Sequence, residues 1–383
     1  MCSKRGRFEL PHEILATEVL PRLPAKSLLR FKSVCKAWRD LISDPGFIES
    51  QLLKQQSQAA SISNDGTIIS ANQQLNVLIG CFGEFHSIVV GSGDTTATKP
   101  HFNHFPLRVS GDIFNPRLWG SCNGLICIQI ERRGEFGIWN PCIQSYRSLP
   151  HIPHGEHISG MPIPITFGFG YDAKIKDYKV VGIRDTLKVI PLVLEVQVFT
   201  LGANSWKRIS DTNHWFEGKQ GLFVNGSLIW NVRYNKLIRF DVHDEVFSEI
   251  KLPEGVLVAY DTMVHIGELG GCLVLVRELR SDSDVSHEVW VMKENWVKMY
   301  SINMSRSLCV KFRIPIIPIG SISISKKKEK KNHVEIVYVS RNGRLFSYNL
   351  NTKRFRRFRV HGGSNLKTIS ILTYVESLVS LGQ

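Results

Sequence analysis

The chain has 383 residues, 43% of them apolar and 21% charged, which is enough apolar material for one large core plus a small second unit and excludes a disordered or fibrous chain. Its formal charge of +14 suggests nucleic acid until it is located: Lys4 to Arg7, the run KKKEKK at 326–331 and Lys353 to Arg359 contribute +3, +4 and +5. The remainder is close to neutral, so no continuous basic groove for a phosphate backbone is expected and nucleic acid is not an expected partner.

The first residues, MCSKRGRFE, lack the apolar run of a signal peptide, and no stretch reaches the 18 or so apolar residues of a membrane helix. A soluble chain of the cytoplasm, the nucleus or both, without membrane contact, is therefore expected. The eight cysteines, Cys2, Cys35, Cys81, Cys122, Cys127, Cys142, Cys272 and Cys309, form no C-x-x-C pair, and several lie inside apolar runs. They read as reduced core residues, not as a disulfide framework or a zinc site.

Helical periodicity comes first in chain order. Pro11 suits a first helical turn, where its missing N–H costs nothing, and Ile14, Leu15, Val19 and Leu20 follow at helical spacing. Pro21 and Pro24 punctuate this pattern. A second pattern starts near Ala25: Leu28, Phe31, Cys35, Trp38 and Ile42 recur at three or four residues, and Val34 and Leu41 widen the stripe. SDPGF at 43–47 reads as its stop. Two or three short helices cannot bury their own apolar faces, so either the rest of the chain or a partner must cover them. Arg22, Lys26, Arg30, Lys32, Lys36 and Arg39 occur with no acid among them, which suits an acidic partner surface.

LPHEILATEVLPRLPAKSLLRFKSVCKAWRDLISDPGFIESQL resembles the F-box in the form found in large plant families. The agreement rests on the Leu10-Pro11 start, Arg22-Leu23-Pro24, Lys26-Ser27-Leu28, Val34-Cys35-Lys36 and Trp38-Arg39, and it runs without a gap over residues 10–52. The resemblance implies that the Skp linker subunit of an SCF-type ubiquitin ligase covers the helices, with a cullin reached through it. The residues implied for that contact are Leu10, Pro11, Ile14, Leu15, Leu20, Leu23, Leu28, Val34, Cys35 and Trp38, with Trp38 as the central anchor. Pro21 is a departure, expected to shorten the first helix by a turn.

After the polar stretch QSQAASISNDG at 56–66 the period changes to two, and short aromatic-rich strands alternate with turn residues, which predicts an all-β body. Few contacts are expected to cross that stretch, leaving two separable halves. NGLICI (123–128) leads through GIWNPCIQSYRSLP (137–150) much as NGSLIWNV (225–232) leads through LIRFDVHDEVFSEIKLP (237–253). The same unit recurs around Trp206, Trp296 and Phe355 as a strand, a short turn and a second strand that opens on an aromatic, expected to pack on the next unit. Tyr146, Trp206, Phe247, Trp296 and Phe355 lie 41 to 60 residues apart, near the length of a four-stranded blade. About six or seven such units make a β-propeller, with two stacked β-sandwiches as the competing architecture.

WGSCNGLICI, IWNPCIQSYRSLP and FGFGYDAKIKDYKVVGI (167–183) are similar to the plant F-box-associated domain, a kelch-like region. The organisation expected is a helical F-box at 8–52, a linker at 53–66 and an F-box-associated β-propeller-like domain at 67–383, a mainly β fold overall.

Several local patterns imitate chemistry. GFGYDA (168–173) satisfies G-x-G-x-x-A, but a turn and a strand follow it where a dinucleotide site needs a helix. GSCNG places Cys122 where a nucleophile elbow would, yet Asn123-Gly124 opens a strand. His151, His154 and His157 sit in a loop broken by Pro153 and Gly155, with no further ligand assignable. KKKEKK reads as a solvated loop between strands or as a nuclear-import signal, and KRFRRFR as an outer blade edge. No catalytic residue, cofactor or metal is assigned. The expected function is a non-catalytic adaptor: the helices join the ligase and the β body captures an unidentified protein target for ubiquitination and degradation. The alternative is an enzyme on a propeller scaffold, a kelch-type oxidase or a sugar hydrolase, with the helices as a cap.

Overall fold

The computed structural model describes residues 12–57, 61–64, 68–70, 74–81, 84–91, 101–102, 116–130, 135–153, 165–185, 193–216, 220–232, 236–256, 263–281, 284–305, 316–325, 332–340, 345–358 and 370–382. Four helical segments come first: α1 (His12–Ile14), which runs on through a π-helical turn at Leu15–Val19 and a 3-10 turn at Leu20–Arg22, then α2 (Ala25–Phe31), α3 (Lys36–Ser43) and α4 (Pro45–Ser57). The Asp-Pro pair stops the preceding helix at Ser43, as the sequence suggests, and also starts a new one at Pro45. Asp44 Oδ1 accepts the N–H of Phe47 at 2.9 Å, and Pro45 fills a first-turn position where its missing N–H costs nothing. The resulting helix carries on to Ser57, past the F-box edge expected at residue 52.

The rest is strand. A two-stranded hairpin, β1 (Ser61–Ile62) and β2 (Ile68–Ser70), precedes β3 (Gln74–Cys81), β4 (Glu84–Gly91) and β5 (His101–Phe102). Then come β6 (Pro116–Cys122), β7 (Leu125–Ile130), β8 (Glu135–Asn140) and β9 (Ser145–Ser148), followed by β10 (Ile165–Asp172), β11 (Asp177–Asp185), β12 (Leu194–Thr200) and β13 (Ser205–Arg208). The third quartet is β14 (Leu222–Val224), β15 (Ser227–Val232), β16 (Lys236–Asp241) and β17 (Phe247–Ile250), and the fourth β18 (Met263–Leu269), β19 (Cys272–Arg280), β20 (Asp284–Met292) and β21 (Trp296–Ser305). β22 (Ile316–Ser325), β23 (Asn332–Ser340), β24 (Leu345–Asn349), β25 (Arg354–Arg357) and β26 (Ser370–Thr373) complete the order.

Each quartet is an antiparallel four-stranded sheet, and β26 pairs with β3 to make the order β26-β3-β4-β5. The fold is therefore a six-bladed β-propeller, within the six or seven blades expected. Supplying the inner strand of the first blade from the last strand of the chain removes the open edge that a linear row of sheets would leave. We number the blades 1 to 6, starting from the one that β26 closes.

The blades repeat for a chemical reason. At the tip between third and fourth strands, Asn140, Asp241 or Asn349 accepts backbone N–H bonds with its side-chain oxygen from Cys142, from His243 and Asp244, or from Asn351 and Thr352. Four residues on, Gln144, Glu245 or Lys353 takes a left-handed conformation, with φ between 54° and 56°, and Asn204 does the same in blade 3 at 51°. Two residues later comes the aromatic. It pairs across the strands of its own blade, Phe199 with Trp206, Phe240 with Phe247 and Tyr348 with Phe355 at centroid distances of 5.3, 4.9 and 4.8 Å, and it packs in the core shared with the preceding blade, not with the next unit as expected. The indole N–H groups of Trp206 and Trp296 add hydrogen bonds to the same preceding blade, to Pro150 O and Lys251 O at its exit.

Apolar side chains gather in six cores, one between each pair of neighbouring blades. Phe136, Phe167, Phe169 and Phe199 lie between blades 2 and 3, Trp230 and Phe240 between 3 and 4, and Leu237 and Leu275 between 4 and 5. Val289 and Tyr338 fill the gap between 5 and 6, Val77 and Phe358 that between 6 and 1, and Phe85 and Trp139 that between 1 and 2. Phe355 and Phe358 serve different cores, as their alternation on an outer strand predicts.

The 56–66 stretch is crossed by more contacts than the sequence suggests. Ile62 is buried and, with Ile68, joins the core between blades 5 and 6, and Lys293 Nζ donates to Ile62 O at 2.6 Å.

Candidate functional site

The helical head is built around Leu20, Ala25, Leu28, Ile42 and Phe47. Gln51, fully buried, donates from Nε2 to Leu23 O. Pro21 shapes the first helix. Lacking an N–H, it cannot bond the carbonyl four residues back, and the chain widens into the π turn, with Leu20 N–H donating to Leu15 O. The stranded carbonyl, Thr17 O, accepts instead from the ammonium of Lys54 on α4. The helix thus keeps its turn across Pro21, where the sequence suggests it would lose one.

Packing leaves several apolar side chains of the head in solvent: Ile14 is 44% exposed, Val34 62% and Leu53 58%, with Val19 also exposed. Phe31 and Trp38 meet edge to face at 5.4 Å beside Val34 and Cys35 at the α2–α3 corner, both half-buried. The six-residue basic row is partly engaged. Arg22 pairs with Glu18 at 2.7 Å, and Lys26 with Glu376 of the propeller at 2.6 Å. Burial lowers the pKa of Lys32, while Arg30 and Lys36 are exposed.

The head rests on one face of the propeller. Gln56 Nε2 donates to Asn123 Oδ1 at 2.9 Å, Lys176 pairs with Glu49 at 2.8 Å, and Cys142 and Ile143 pack on the helical core. Asn123, Cys142, Ile143 and Lys176 all belong to tips that join first to second or third to fourth strands, and antiparallel order puts those tips at one end of every blade. Connections from second to third strands and between blades emerge at the opposite face, and Trp215, 50% exposed, lies on one of them.

Comparison with known proteins identifies both regions. The F-box-like family matches residues 8–50, and the F-box associated beta propeller domain family matches residues 80–378, well over half of the chain. The chain belongs to the F-box associated β-propeller family. F-box protein CPR1 of Arabidopsis thaliana is 26% identical, across 92% of this chain and 84% of its own length. F-box protein At5g49610, from the same plant, is 26% identical over 96% and 95%, and F-box/kelch-repeat protein At3g23880 is 28% identical over 76% and 79%. These relatives point to a non-catalytic adaptor.

Set on the F-box, the ten residues expected to meet the linker subunit divide into groups. Leu10 and Pro11 lie outside the described residues. Leu20 and Leu28, at 1% and 0% exposure, are the centre of the head's own core and present no surface. A helical stripe contains both the side chains that hold helices to each other and those left over, and periodicity does not separate them. Leu15, Leu23 and Trp38 are half-buried, while Ile14, Val34 and Cys35 stand in solvent. Val19 and Leu53 are exposed apolar residues of the head that the ten leave out, Leu53 because the sequence pattern ends the helices at SDPGF and predicts no α4.

The chemical look-alikes have structural roles. Gly168 and Gly170 of GFGYDA make room for Leu228 and Phe223 of blade 4, and a Cβ on either glycine would collide with them. Cys122 and Cys127 are buried, and burial raises both thiols, that of Cys127 to about 12, far from a reactive thiolate. His151 is exposed, whereas His154 and His157, like the KKKEKK run, lie outside the described residues.

Proposed function

We propose that this chain is the substrate-recognition subunit of an SCF-type ubiquitin ligase. Its helical head binds the Skp linker subunit and through it a cullin, and the propeller holds a protein target for ubiquitination. The observation that carries the reading is the set of exposed apolar side chains, Ile14, Val19, Val34 and Leu53, on a head whose core is otherwise closed. Leaving such residues in water is unfavourable, and four of them on one small helical unit suit a protein interface. The basic residues around Val34 favour an acidic partner. Capture of the target falls to the face away from the head, where the longer connections and Trp215 emerge.

The test is capture of purified Skp linker subunit by the full chain. Wild type is expected to form a stable complex, and Val34→Asp to lose about tenfold or more in affinity, the scale of a truncated interface anchor. Trp38→Ala is expected to lose at least as much, part of it through the Phe31 contact inside the head. Equal capture by wild type and a folded Val34→Asp chain would remove the reading.

A further inference from the structure

β26 closes the ring, yet the chain does not leave the molecule there. Tyr374 is buried, with its hydroxyl 2.7 Å from Ser87 Oγ, and its N–H donates to Asn76 O in blade 1. The next residues then alternate between two partners. Glu376 pairs with Lys26 of the head at 2.6 Å, and Leu378, 3% exposed, enters the helical core beside Leu28 and Ile42. Ser377, fully buried, faces blade 2, and Val379 and Leu381 join the core between blades 2 and 3. Glu376 and Leu378 thus serve the head while Ser377, Val379 and Leu381 serve the propeller, the two-sided pattern of an extended chain laid between two bodies.

The propeller side of this seam centres on Asn140. Its Nδ2 donates to Val379 O at 2.8 Å and to Ser377 O at 3.1 Å, with Ser377 Oγ at 3.3 Å, while its Oδ1 accepts Cys142 N–H and holds the blade tip. Arg147 Nη1 donates to Leu381 O at 3.1 Å. Gly124 completes the channel: φ is +80° there, and a Cβ would collide with Ser377 and with the carbonyl of Val375. By contrast, the direct polar ties between head and propeller, Gln56 to Asn123 and Glu49 to Lys176, are exposed contacts of the kind that contribute little, and they are joined by the packing of Cys142 and Ile143 at one blade tip against the helical core.

We propose that residues 376–381 are a positioning strap that sets the pose of the helical head on the propeller, with Asn140 the positioning residue on the propeller and Leu378 its counterpart in the head. A head held by two exposed polar ties and one small apolar contact at a single blade tip would swivel. Held through a buried amide clamp on one side and a shared core residue on the other, it keeps one orientation. This deepens the adaptor reading and rests on it for its consequence, that a captured target sits at a fixed distance from the linker subunit. The pose itself is measurable without any ligase component.

The experiment uses the full chain with fluorophores introduced through an unnatural amino acid at Ser43 of the head and Ser205 of blade 3, both exposed, read by single-molecule energy transfer. Wild type should give one narrow distribution. Asn140→Asp keeps the oxygen that holds the blade tip, as Asp241 does at the equivalent position, but replaces the donors facing Ser377 and Val379. It should broaden the distribution about twofold or more while linker capture persists, as should Leu378→Asp. Lys176→Ser, which cuts an exposed tie, should leave the distribution narrow. If Leu378→Asp abolishes linker capture because the head has unfolded, Asn140→Asp decides alone. Unchanged width in Asn140→Asp, or equal broadening in Lys176→Ser, overturns the strap. Failure of wild type to bind the linker subunit would strike the adaptor reading and leave the strap standing.

Discussion

The helical head and the propeller use their apolar residues in opposite ways. In the propeller the interfaces between blades bury large side chains completely, Trp139, Trp230 and Tyr338 among them. The head closes its core by taking in Leu378 from the propeller's last segment and resting on Cys142 and Ile143 of a blade tip, and it still leaves Ile14, Val34 and Leu53 in solvent. The difference is one of size. A few short helices have too much surface for their volume to be self-sufficient, so part of the head's apolar surface rests on the propeller and part stays in solvent.

The sharpest break of this comparison is Trp230→Ala. Its ring is fully buried and meets Phe216 edge to face at 5.6 Å, so truncation should cost about 3–5 kcal/mol. Calorimetry should register the loss in the propeller transition, while linker capture below that transition stays intact. Gly137→Ala comes next, since a Cβ there would run into the Tyr146 ring of the same blade. Such overpacking is expected to cost about 1–3 kcal/mol by denaturant melts, and an unchanged midpoint would mean that Tyr146 swings aside.

On the head the expected balance is reversed. Val34→Asp should leave stability within about 0.5 kcal/mol, as exposed substitutions do, although it damages capture. A large loss of stability would show Val34 to be core. Asp44→Ala removes the side-chain acceptor at the start of α4 and should cost about 1 kcal/mol, measured as faster amide exchange over 46–49.

The smallest effect concerns acid. Burial pushes the Asp172 carboxyl up, but hydrogen bonds from His243 and Lys179 and from the N–H groups of Ile175 and Lys174 outweigh it and hold the group below the ordinary carboxylate range. A carboxylate with a depressed folded pKa contributes stability that is complete above its unfolded value, about 3.9, and is lost as pH falls through the folded one. The propeller should therefore melt earlier below about pH 4. That slope should be shallower in Asp172→Asn, and an identical slope would acquit this group.

Much of this architecture is already written in short-range pattern. The change of period after the helices, the Asn-Gly tips and the aromatics at 146, 206, 247 and 355 give a repeated four-stranded unit, because turn chemistry and alternation are local properties. Asn123-Gly124 and Asn225-Gly226 both take positive φ at both residues and occupy the same tip in blades 2 and 4, which accounts for the internal repeat. The F-box motif is local in the same sense. The start of α4 was equally available, since Asp followed by Pro is a helix entry as much as a stop.

The sequence by itself therefore determined the class of each region, the repeat and the candidate stripe of the head, all of which follow from residues a few positions apart. Only the tertiary structure decided which stripe residues are surface and which are core, because Leu28 and Val34 share a period and differ only in what is packed beside them. It alone decided that the strand at 370–373 closes the first blade and that the segment after it joins head to propeller. Those pairings, Thr373 with Val77, Asn140 with Ser377 and Leu378 with Ile42, span hundreds of residues, and no local period encodes a contact between segments that meet only when the ring shuts.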